Sequence, residues 1–443
     1  MKVNGNSNSD SSFISYHYLN MLSRRFFLKN TAHIVAATSS ARLLGAPLNL
    51  PVFSHSTGQQ PDWALIREAF PLKKTRAYFN TGTLGPSPQI VLDTVFEAMK
   101  NVEVTGEMDH SIVEARQSIA QFVKADATEI ALTKNTTEGI NIIAWGLLFK
   151  KNDEIIISNH EHVGNATPWL HLAQVKSLKL QVIELGKSSD ETLANIRKKI
   201  SDKTRLIVMP HITCTTGQIQ PIQEIVELGK QKGILVFIDG AHGAGMLNLD
   251  LPKLGCDFYA TCCHKWMLAP KGTGFLYIKK EALNSVQPHF IGAGAHASWE
   301  LSPQKVTLPD FIPSAERFDY GTYNATLWQG VKAAIDFLES IGMDHIETRI
   351  KELNHYLQSG LEELTPKEVS ILTPLEDNIR SGMLGIKFIN KDTQTFNASV
   401  GTYFRVRFVP EHQLNSIRIS THIFNTEKEI DDFMAYLKKY LAK

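Results

Sequence analysis

From residue 61 onward, short uninterrupted apolar runs alternate with segments of helical periodicity, and no other pattern in the sequence restricts the fold as strongly. Strands are predicted at residues 129–133, 154–158, 181–185, 206–210, 235–238 and 274–278, with helices between them, for example at 138–148 and 221–232. Strands that alternate with helices form a parallel sheet, and continuous apolar runs indicate burial on both faces. The sequence therefore predicts an α/β fold around a large, mostly parallel sheet of the seven-stranded type.

The chain has 443 residues, which is more than one hydrophobic core usually organises. A stretch rich in Gly and Pro at 288–313 has little periodicity and precedes a predicted long helix at 327–340. Helices and short strands follow it to the C-terminus. We therefore predict a large domain at 56–320 and a smaller C-terminal α+β domain at 321–443.

The first 55 residues have a different character. Arg24 and Arg25 precede a moderately apolar run at 31–50, which contains ionisable residues and is too polar for a transmembrane helix. This pattern is typical of a twin-arginine export signal. We predict that residues 1–55 form a leader, that the twin-arginine export machinery is a partner, and that the protein is periplasmic or exported. The alternatives are an uncleaved leader on a cytoplasmic protein and a translation start at Met21.

The charge balance and the cysteines narrow the class of ligand. A formal net charge of +1 gives no electrostatic reason to expect nucleic acid or an anionic membrane as a partner, so a small molecule is expected. The four cysteines lie in one stretch of the chain, unlike a disulfide framework, and they lack the paired CxxC spacing of a structural zinc site: Cys214, Cys256, Cys262 and Cys263. Reduced thiols and no structural metal are expected.

Two charged residues follow predicted strands, where parallel sheets bind their ligands. Asp239 comes directly after the strand at 235–238. A carboxylate there stays ionised in a low dielectric if a cation such as a protonated pyridine nitrogen meets it, although capping of the next helix is an alternative. Lys265 lies among apolar and aromatic residues, which help an amine lose its charge before it attacks an aldehyde. Together they predict a site for pyridoxal 5'-phosphate.

A helix is predicted to open just after the strand at 129–133. Thr136 and Thr137 lie at this opening, and Asn135 and Glu138 have the spacing of a capping box. A helix N-terminus offers free N–H groups and a positive dipole end, so two hydroxyls there suit a phosphate group. Ordinary capping is the alternative. Neither a P-loop motif nor a dinucleotide-binding glycine motif follows a strand.

His160 and His162 follow the strand at 154–158 and allow two interpretations. An imidazole there can stack on a flat heteroaromatic ring. Alternatively, His160 and His162 project from one side of an extended segment and hold a metal ion, as in a metal-dependent hydrolase. Further ligands would then have to converge in space, and the candidates are His211, Cys214 and His264.

Six motifs occur in the order seen in class V aminotransferases, a superfamily of pyridoxal-phosphate enzymes that the chain resembles from about Tyr78 to its C-terminus. They lie at residues 135–141, 161–162, 239–242, 264–266, 321–322 and 418–426. The segment 264–272 is most similar to isopenicillin N epimerase-like proteins, with cysteine desulfurases and selenocysteine lyases more distant. The resemblance implies the fold type I of pyridoxal-phosphate transferases and a homodimer with shared active sites.

The resemblance also implies a role for each site residue. Lys265 is implied to hold the cofactor as a Schiff base, Asp239 to pair with its ring nitrogen, and His162 to stack on its ring. Arg418 is implied to grip the substrate carboxylate, a task that its planar guanidinium suits. The other implied cofactor contacts are His242 at the ring hydroxyl, Thr136, Thr137 and Thr322 at the phosphate, and the adjacent His264 and Cys214.

Two of these positions carry a qualification. In relatives, the residue at Thr322 reaches into the neighbouring subunit's site, and many relatives have an asparagine where this chain has Cys214. The segment 405–410 lies where desulfurases carry a nucleophilic cysteine, and no cysteine follows Cys263. This absence argues against sulfur abstraction through a protein persulfide.

The resemblance implies an amino-acid substrate that Lys265 deprotonates at the α-carbon. Transamination, epimerisation and β-elimination share this step, and the loops at 81–88 and 292–299 are expected to face the substrate. We expect an aminotransferase or epimerase, with a C–S or β-eliminating lyase as the alternative. A metal-dependent hydrolase and a cofactor-free binding protein are the competing classes.

Overall fold

The computed structural model describes residues 60–107, 111–308 and 310–443, all of which fall within one compact unit. Arg24 and Arg25, with the rest of the predicted leader, lie outside the described residues. Within the described ranges, no helix is both long enough and apolar enough to cross a membrane.

The described residues form fifteen strands. In chain order they are β1 (Ala77–Tyr78), β2 (Ile130–Thr133), β3 (Glu154–Ser158), β4 (Lys179–Ile183), β5 (Thr204–Pro210), β6 (Leu235–Asp239), β7 (Phe258–Cys262), β8 (Gly274–Ile278), β9 (Glu300–Ser302), β10 (Lys305–Thr307), β11 (Val369–Ile371), β12 (Met383–Phe388), β13 (Phe404–Arg405), β14 (Arg407–Val409) and β15 (Ser416–Ser420).

Twelve α-helices accompany these strands in the described part of the chain. They are α1 (Trp63–Glu68), α2 (Gln89–Thr105), α3 (Ser111–Phe122), α4 (Thr136–Gly146), α5 (Val163–Lys176), α6 (Ser189–Lys199), α7 (Ile222–Lys232), α8 (Leu251–Leu254), α9 (Ala325–Ile341), α10 (Met343–Glu362), α11 (Thr393–Val400) and α12 (Glu427–Leu441).

The large sheet has seven strands in the order β2-β8-β7-β6-β5-β3-β4. Only β8 runs against its neighbours, so the predicted mostly parallel sheet is confirmed. Both faces are buried, because Ile156 packs into one hydrophobic cluster while Ile155 and Ile157 pack into another on the opposite face. The α/β class is therefore established.

The predicted strands differ from the observed ones in the omission of β7 and in the bounds of several strands; β5, for example, begins at Thr204, two residues before its predicted range. The strand β7 was not predicted, because Ala260, Thr261 and Cys262 are small or weakly polar and do not extend the apolar run begun by Phe258 and Tyr259. The strand β4 begins two residues before the predicted range. Because β7 pairs with β6 in parallel, both strands point their carboxyl ends to one edge of the sheet.

A smaller antiparallel sheet has the order β11-β12-β15-β14, and its apolar residues form a third hydrophobic cluster with α10 and α12. The stretch at 288–313, which was predicted to have little pattern, contains the antiparallel pair β9 and β10. The domain boundary expected between residues 320 and 321 stays a prediction.

Candidate active site

A cavity of about 330 Å³ lies beyond the carboxyl ends of the parallel strands, as sheets of this kind place their ligands. Six of the predicted site residues line it together: Thr136, Thr137, His162, Asp239, His264 and Lys265. A larger groove of about 620 Å³ between residues 74–77 and α12 contains none of them. The residues selected from the sequence therefore converge on one concave site.

Asp239 is the last residue of β6, and its carboxylate is buried with 6% exposure. Its Oδ1 accepts a hydrogen bond from the backbone N–H of Ala241 at 3.0 Å. Burial raises the pKa of Asp239, although the hydrogen bond from Ala241 and the charge of Lys265 act in the opposite direction and lower it. No salt bridge within the described ranges includes Asp239, so this carboxylate suits a cationic ligand atom.

Lys265 follows β7 in a turn and is half-buried in the cavity wall. The backbone N–H of Gly85 donates to the carbonyl of His264 at 2.8 Å. A Cβ atom at Gly85 would lie 1.9 Å from the carbonyl oxygen of Lys265, so only glycine fits this approach. The contact holds the loop at 82–85 against the lysine's backbone and fixes the position of that backbone.

The helix α4 opens into the cavity with Thr136 and Thr137 at its first two positions. Asn135 caps it by accepting from the N–H of Glu138 at 2.9 Å. The predicted capping box forms only in part, because the Glu138 carboxylate accepts from the backbone N–H of Lys134 instead. This N-terminus keeps the positive dipole end and the two hydroxyls that a phosphate requires.

The backbone around the threonines leaves little spare room. A Cβ atom at Gly164 would lie 2.5 Å from Oγ1 of Thr137 and 3.1 Å from Nδ1 of His162. The glycine therefore allows α4 and the start of α5 to approach each other at the cavity.

Two histidines have a nitrogen whose hydrogen-bonding role is fixed by a neighbour. Nδ1 of His162 accepts from the N–H of Gly164 at 3.0 Å, and Nδ1 of His242 accepts from the indole N–H of Trp266 at 3.0 Å. Each ring therefore carries its proton on Nε2 when neutral. Burial lowers the pKa of His162 to about 4 and that of His242 well below its usual range.

His264 also lines the cavity, and burial lowers its pKa to about 4. Its Nδ1 is buried and has no hydrogen-bond partner among the described residues. At neutral pH the histidines of the site are thus uncharged, and an uncharged flat ring such as that of His162 suits stacking on a heteroaromatic ligand.

Arg418 lies in β15 directly behind the cavity and has 0% exposure. Its guanidinium donates to the carbonyl of Cys214 at 2.7 Å and to Oγ1 of Thr83 at 3.0 Å. Burial, together with the charge of Arg407, lowers the pKa of Arg418 to about 9, so it remains a cation at neutral pH. Both hydrogen-bond partners of Arg418 are neutral. One of them, Thr83, also lines the cavity and so connects the buried guanidinium to the site.

Besides Arg418, three predicted residues lie outside the cavity wall. His242 is buried behind it, and Cys214 contributes its carbonyl to Arg418 while burial raises the pKa of its thiol. Thr322 is exposed and does not reach the cavity of its own chain. Its expected role in a neighbouring subunit's site stays a prediction.

The alternative metal site is not formed. No group of three His, Cys, Asp or Glu side chains in the described ranges is arranged to hold a metal ion. Nδ1 of His160 lies 2.9 Å from Oγ1 of Thr215, and Nδ1 of His211 lies 2.9 Å from the hydroxyl of Tyr259. These hydrogen bonds involve Nδ1 of each ring, so what argues against the metal-dependent hydrolase is that its proposed ligands do not converge within the described ranges.

The cavity also contains Arg407, which sequence reasoning missed. Of the two loops expected to face the substrate only 81–88 contributes, through Gly82 and Thr83. No residue of 292–299 lies in its wall. The only signal for Arg407 was the Arg-Val-Arg sequence at 405–407, which does not reveal which arginine faces inward.

The chemistry of these residues fits pyridoxal 5'-phosphate. The site offers an amine on Lys265, an unpaired buried carboxylate on Asp239 for a ring cation, and a helix N-terminus with two hydroxyls for a phosphate. A neutral imidazole on His162 completes a wall for a flat ring. Each feature is a property of this chain's own side chains, so the donor set matches the three chemical parts of the cofactor.

Comparison with known proteins gives the same answer. The family model of class V aminotransferases matches residues 93–433. The chain is 30% identical over 395 residues to a probable cysteine desulfurase of Pyrococcus abyssi, covering 84% of this chain and 96% of that protein. It is 29% identical to the isopenicillin N epimerase of Streptomyces clavuligerus, covering 84% and 96%.

A solved structure is similar over nearly its whole length. The apo structure of a cysteine desulfurase from Thermococcus onnurineus NA1 superposes with a TM-score of 0.77 at 26% identity, covering 86% of this chain and 98% of that one. The expected family, fold and cofactor are confirmed together. The chain belongs to the class V aminotransferase family of pyridoxal-phosphate-dependent enzymes.

Proposed function

We propose that this protein acts at the α-carbon of an amino acid and catalyses transamination or epimerisation. The observation that carries the proposal is a buried guanidinium, Arg418, whose hydrogen-bond partners are neutral, next to a cavity that holds Lys265 and Asp239. A buried cation without an anionic partner suits a carboxylate ligand. The α-carboxylate of an amino acid is the simplest such ligand.

The residues divide the work as follows. Arg418 gives up its hydrogen bond to Thr83 and binds the substrate carboxylate instead. His162, on the cavity wall, restricts the orientation of the reacting groups. The bound cofactor supplies an electron sink for charge at the α-carbon, and Asp239 keeps that sink electron-poor. Lys265 accepts and returns the α-proton on its amine. Holding the reacting groups in one geometry supplies much of the rate.

The thiols favour this proposal over sulfur transfer through a protein persulfide. All four cysteines are buried: Cys214, Cys256, Cys262 and Cys263. Burial raises the pKa of each thiol, whereas a nucleophilic cysteine needs a lowered one. Cys262 lines the cavity, but the residue is only 2% exposed. Its sulfur lies 3.8 Å from the carbonyl oxygen of Ala241. A β-eliminating lyase needs no protein thiol and remains the second candidate.

The test is exchange of the α-hydrogen with deuterated water. Holoenzyme is incubated with each common amino acid, and the α-proton signal is followed by NMR. We expect exchange for the true substrate, loss of exchange in Lys265→Ala, and retention in Lys280→Ala, which removes an exposed lysine beyond β8. Sulfide release from cysteine through a persulfide on Cys262, without α-hydrogen exchange, would overturn the proposal. Pyruvate and ammonia as products would identify the lyase instead.

We also propose that the protein is exported by the twin-arginine route and, as the resemblance to class V aminotransferases implies, that it works as a homodimer. The twin-arginine route carries folded proteins, and a phosphorylated cofactor made in the cytoplasm is best bound before export. Replacing Arg24 and Arg25 by lysine should leave the holoenzyme in the cytoplasm. Wild-type protein found only in the cytoplasm would contradict the export proposal.

A further inference from the structure

We propose that the substrate carries a second anionic group in its side chain and that Arg407 binds this group. The inference rests on the proposed function, because it assigns the far end of the amino acid whose α-carboxylate Arg418 holds. Neither the sequence nor the family resemblance assigns a role to Arg407.

Arg407 and Arg418 lie directly opposite each other on the neighbouring antiparallel strands β14 and β15. Opposed residues on such strands share one face of the sheet, with Cβ atoms about 4.5–5.5 Å apart. Like charges in this position are destabilising. On the other side of Arg418 the opposed residue is Gly385, so that strand adds no compensating charge. An anionic ligand would relieve the repulsion between the two arginines.

Arg407 faces the cavity. It lines the same wall as Lys265 and Asp239, and its side chain is 19% exposed. Arg418 lies one step deeper, behind Thr83. The two guanidiniums are thus at different depths of one site, as an amino acid with an anionic group at each end requires.

The ion pair of Arg407 is incompletely satisfied. Its Nη2 donates to Oε1 of Glu411, which is its single hydrogen-bond partner among the residues described. Oε2 of Glu411 is buried and has no hydrogen-bond partner in the same part of the chain. A guanidinium carries five N–H donors, so Arg407 has donors left for a second carboxylate.

The backbone that presents Glu411 is unusual. The connection between β14 and β15 holds His412, Gln413 and Asn415 at φ values of 54°, 58° and 46°. Left-handed backbone is costly for residues other than glycine, and it persists mainly where the surroundings impose it, often near functional sites. Nε2 of His412 lies 3.3 Å from the carbonyl of Glu161 and ties this connection to the cavity rim.

The charge balance indicates the class of substrate. The proposed function assigns Lys265 and Asp239 to the cofactor, and His162 and His264 are neutral because burial lowers the pKa of each to about 4. The cationic side chains left for the substrate are Arg407, on the cavity wall, and Arg418, behind it, and Glu411 pairs with Arg407 through only one carboxylate oxygen. An acidic amino acid offers one carboxylate to each guanidinium, whereas a neutral amino acid offers its single carboxylate to Arg418 alone.

The test compares acids with their isosteric amides on the holoenzyme. L-aspartate, L-asparagine, L-glutamate and L-glutamine are titrated against the visible absorbance of the bound cofactor, and the readout is the ratio of acid to amide affinity. One charge-assisted hydrogen bond predicts a ratio of about 10 to 100 for the better chain length. Arg407→Gln should reduce this ratio to about 1. Glu411→Gln should increase it, because it removes the carboxylate that competes for Arg407.

The control is Arg405→Gln, which removes an exposed arginine two residues away that does not line the cavity. It should leave the ratio unchanged. A wild-type ratio near 1 would overturn the inference. So would an Arg407→Gln protein that binds acid and amide equally more weakly, because Arg407 would then hold the α-carboxylate. If no amino acid changes the spectrum or exchanges its α-hydrogen, the proposed function itself fails, and this inference fails with it.

Discussion

Replacing Asp239 by asparagine should stabilise the cofactor-free protein while weakening cofactor binding and catalysis. The wild-type carboxylate is buried, and its single described hydrogen bond comes from the N–H of Ala241. The asparagine side-chain oxygen can accept the same hydrogen bond. The substitution therefore removes the charge and retains the shape and the acceptor.

Both effects can be estimated. Two opposite charges about 4 Å apart at an effective dielectric constant of about 20 attract by about 4 kcal/mol. Losing that attraction between Asp239 and the ring cation corresponds to about a thousandfold in kcat/KM. In the cofactor-free protein, relief of a poorly compensated buried charge should raise the free energy of unfolding by about 1–3 kcal/mol at pH 7.

The pH dependence gives the stability effect a signature. Burial raises the pKa of Asp239 in the folded state above its unfolded value. The folded state therefore binds the proton more tightly, and this contribution to stability is full below the unfolded pKa and is lost as pH rises through the folded one. The advantage of the asparagine variant should accordingly be large at pH 7 and small near pH 4.

The assay is urea unfolding of the cofactor-free protein at both pH values, with cofactor affinity measured from absorbance. Asp257→Asn is the matched control. Asp257 also accepts a backbone hydrogen bond, from Val236 at 2.7 Å, and burial raises its pKa, but it does not line the cavity. It should leave cofactor affinity unchanged. An Asp239→Asn protein with wild-type cofactor affinity would refute the reasoning.

Three further results are expected. Arg418→Lys keeps the charge but loses the planar fork, so KM for the substrate should rise by about tenfold or more, and an unchanged KM would contradict the carboxylate role. Trp266→Phe removes the N–H that fixes Nδ1 of His242, so the pH profile of kcat should shift, and a profile that matches wild type would argue against this positioning. His162 has a folded pKa of about 4 and an unfolded value of about 6.5, so its contribution to stability is present above the unfolded pKa and is lost as pH falls toward 4. In His162→Asn the slope of unfolding free energy against pH near 5 should fall by about 1 kcal/mol per unit, and an unchanged slope would mean that His162 titrates normally.

The site could be located from the sequence because its residues follow strands. Asp239 ends β6, Thr136 and Lys265 come just after β2 and β7, and these parallel strands end at one edge of the sheet. Continuous apolar runs such as 154–158 locate the strands without any tertiary information. The strand β7 was not predicted. Lys265, which follows it, was nevertheless identified from the apolar and aromatic residues around it.

Residues whose role depends on strand register could not be predicted. The pairing of Arg407 with Arg418 requires the alignment of β14 with β15. Polar and apolar residues alternate in β15, but β14 has only three residues, which are too few to reveal its register from the sequence. Thr83 reaches Arg418 across 335 positions of sequence. The partial capping box at Asn135 was also beyond sequence reasoning, because Glu138 can reach either of two N–H groups.

The relatives are named for different reactions, so their names do not identify the reaction of this protein. Its own side chains reduce the number of reactions that are chemically plausible. Cysteine desulfurases and isopenicillin N epimerases both occur among the relatives, so the family fixes the cofactor and leaves the fate of the substrate to the rest of the cavity. Where the resemblance places a desulfurase's cysteine, this chain has the segment that carries Arg407, a cation instead of a nucleophile. A cation at that position cannot attack sulfur, but it can bind an anion. We therefore propose that the segment that carries the nucleophilic cysteine in desulfurases serves substrate recognition in this chain, and this difference would separate the protein from its desulfurase relatives.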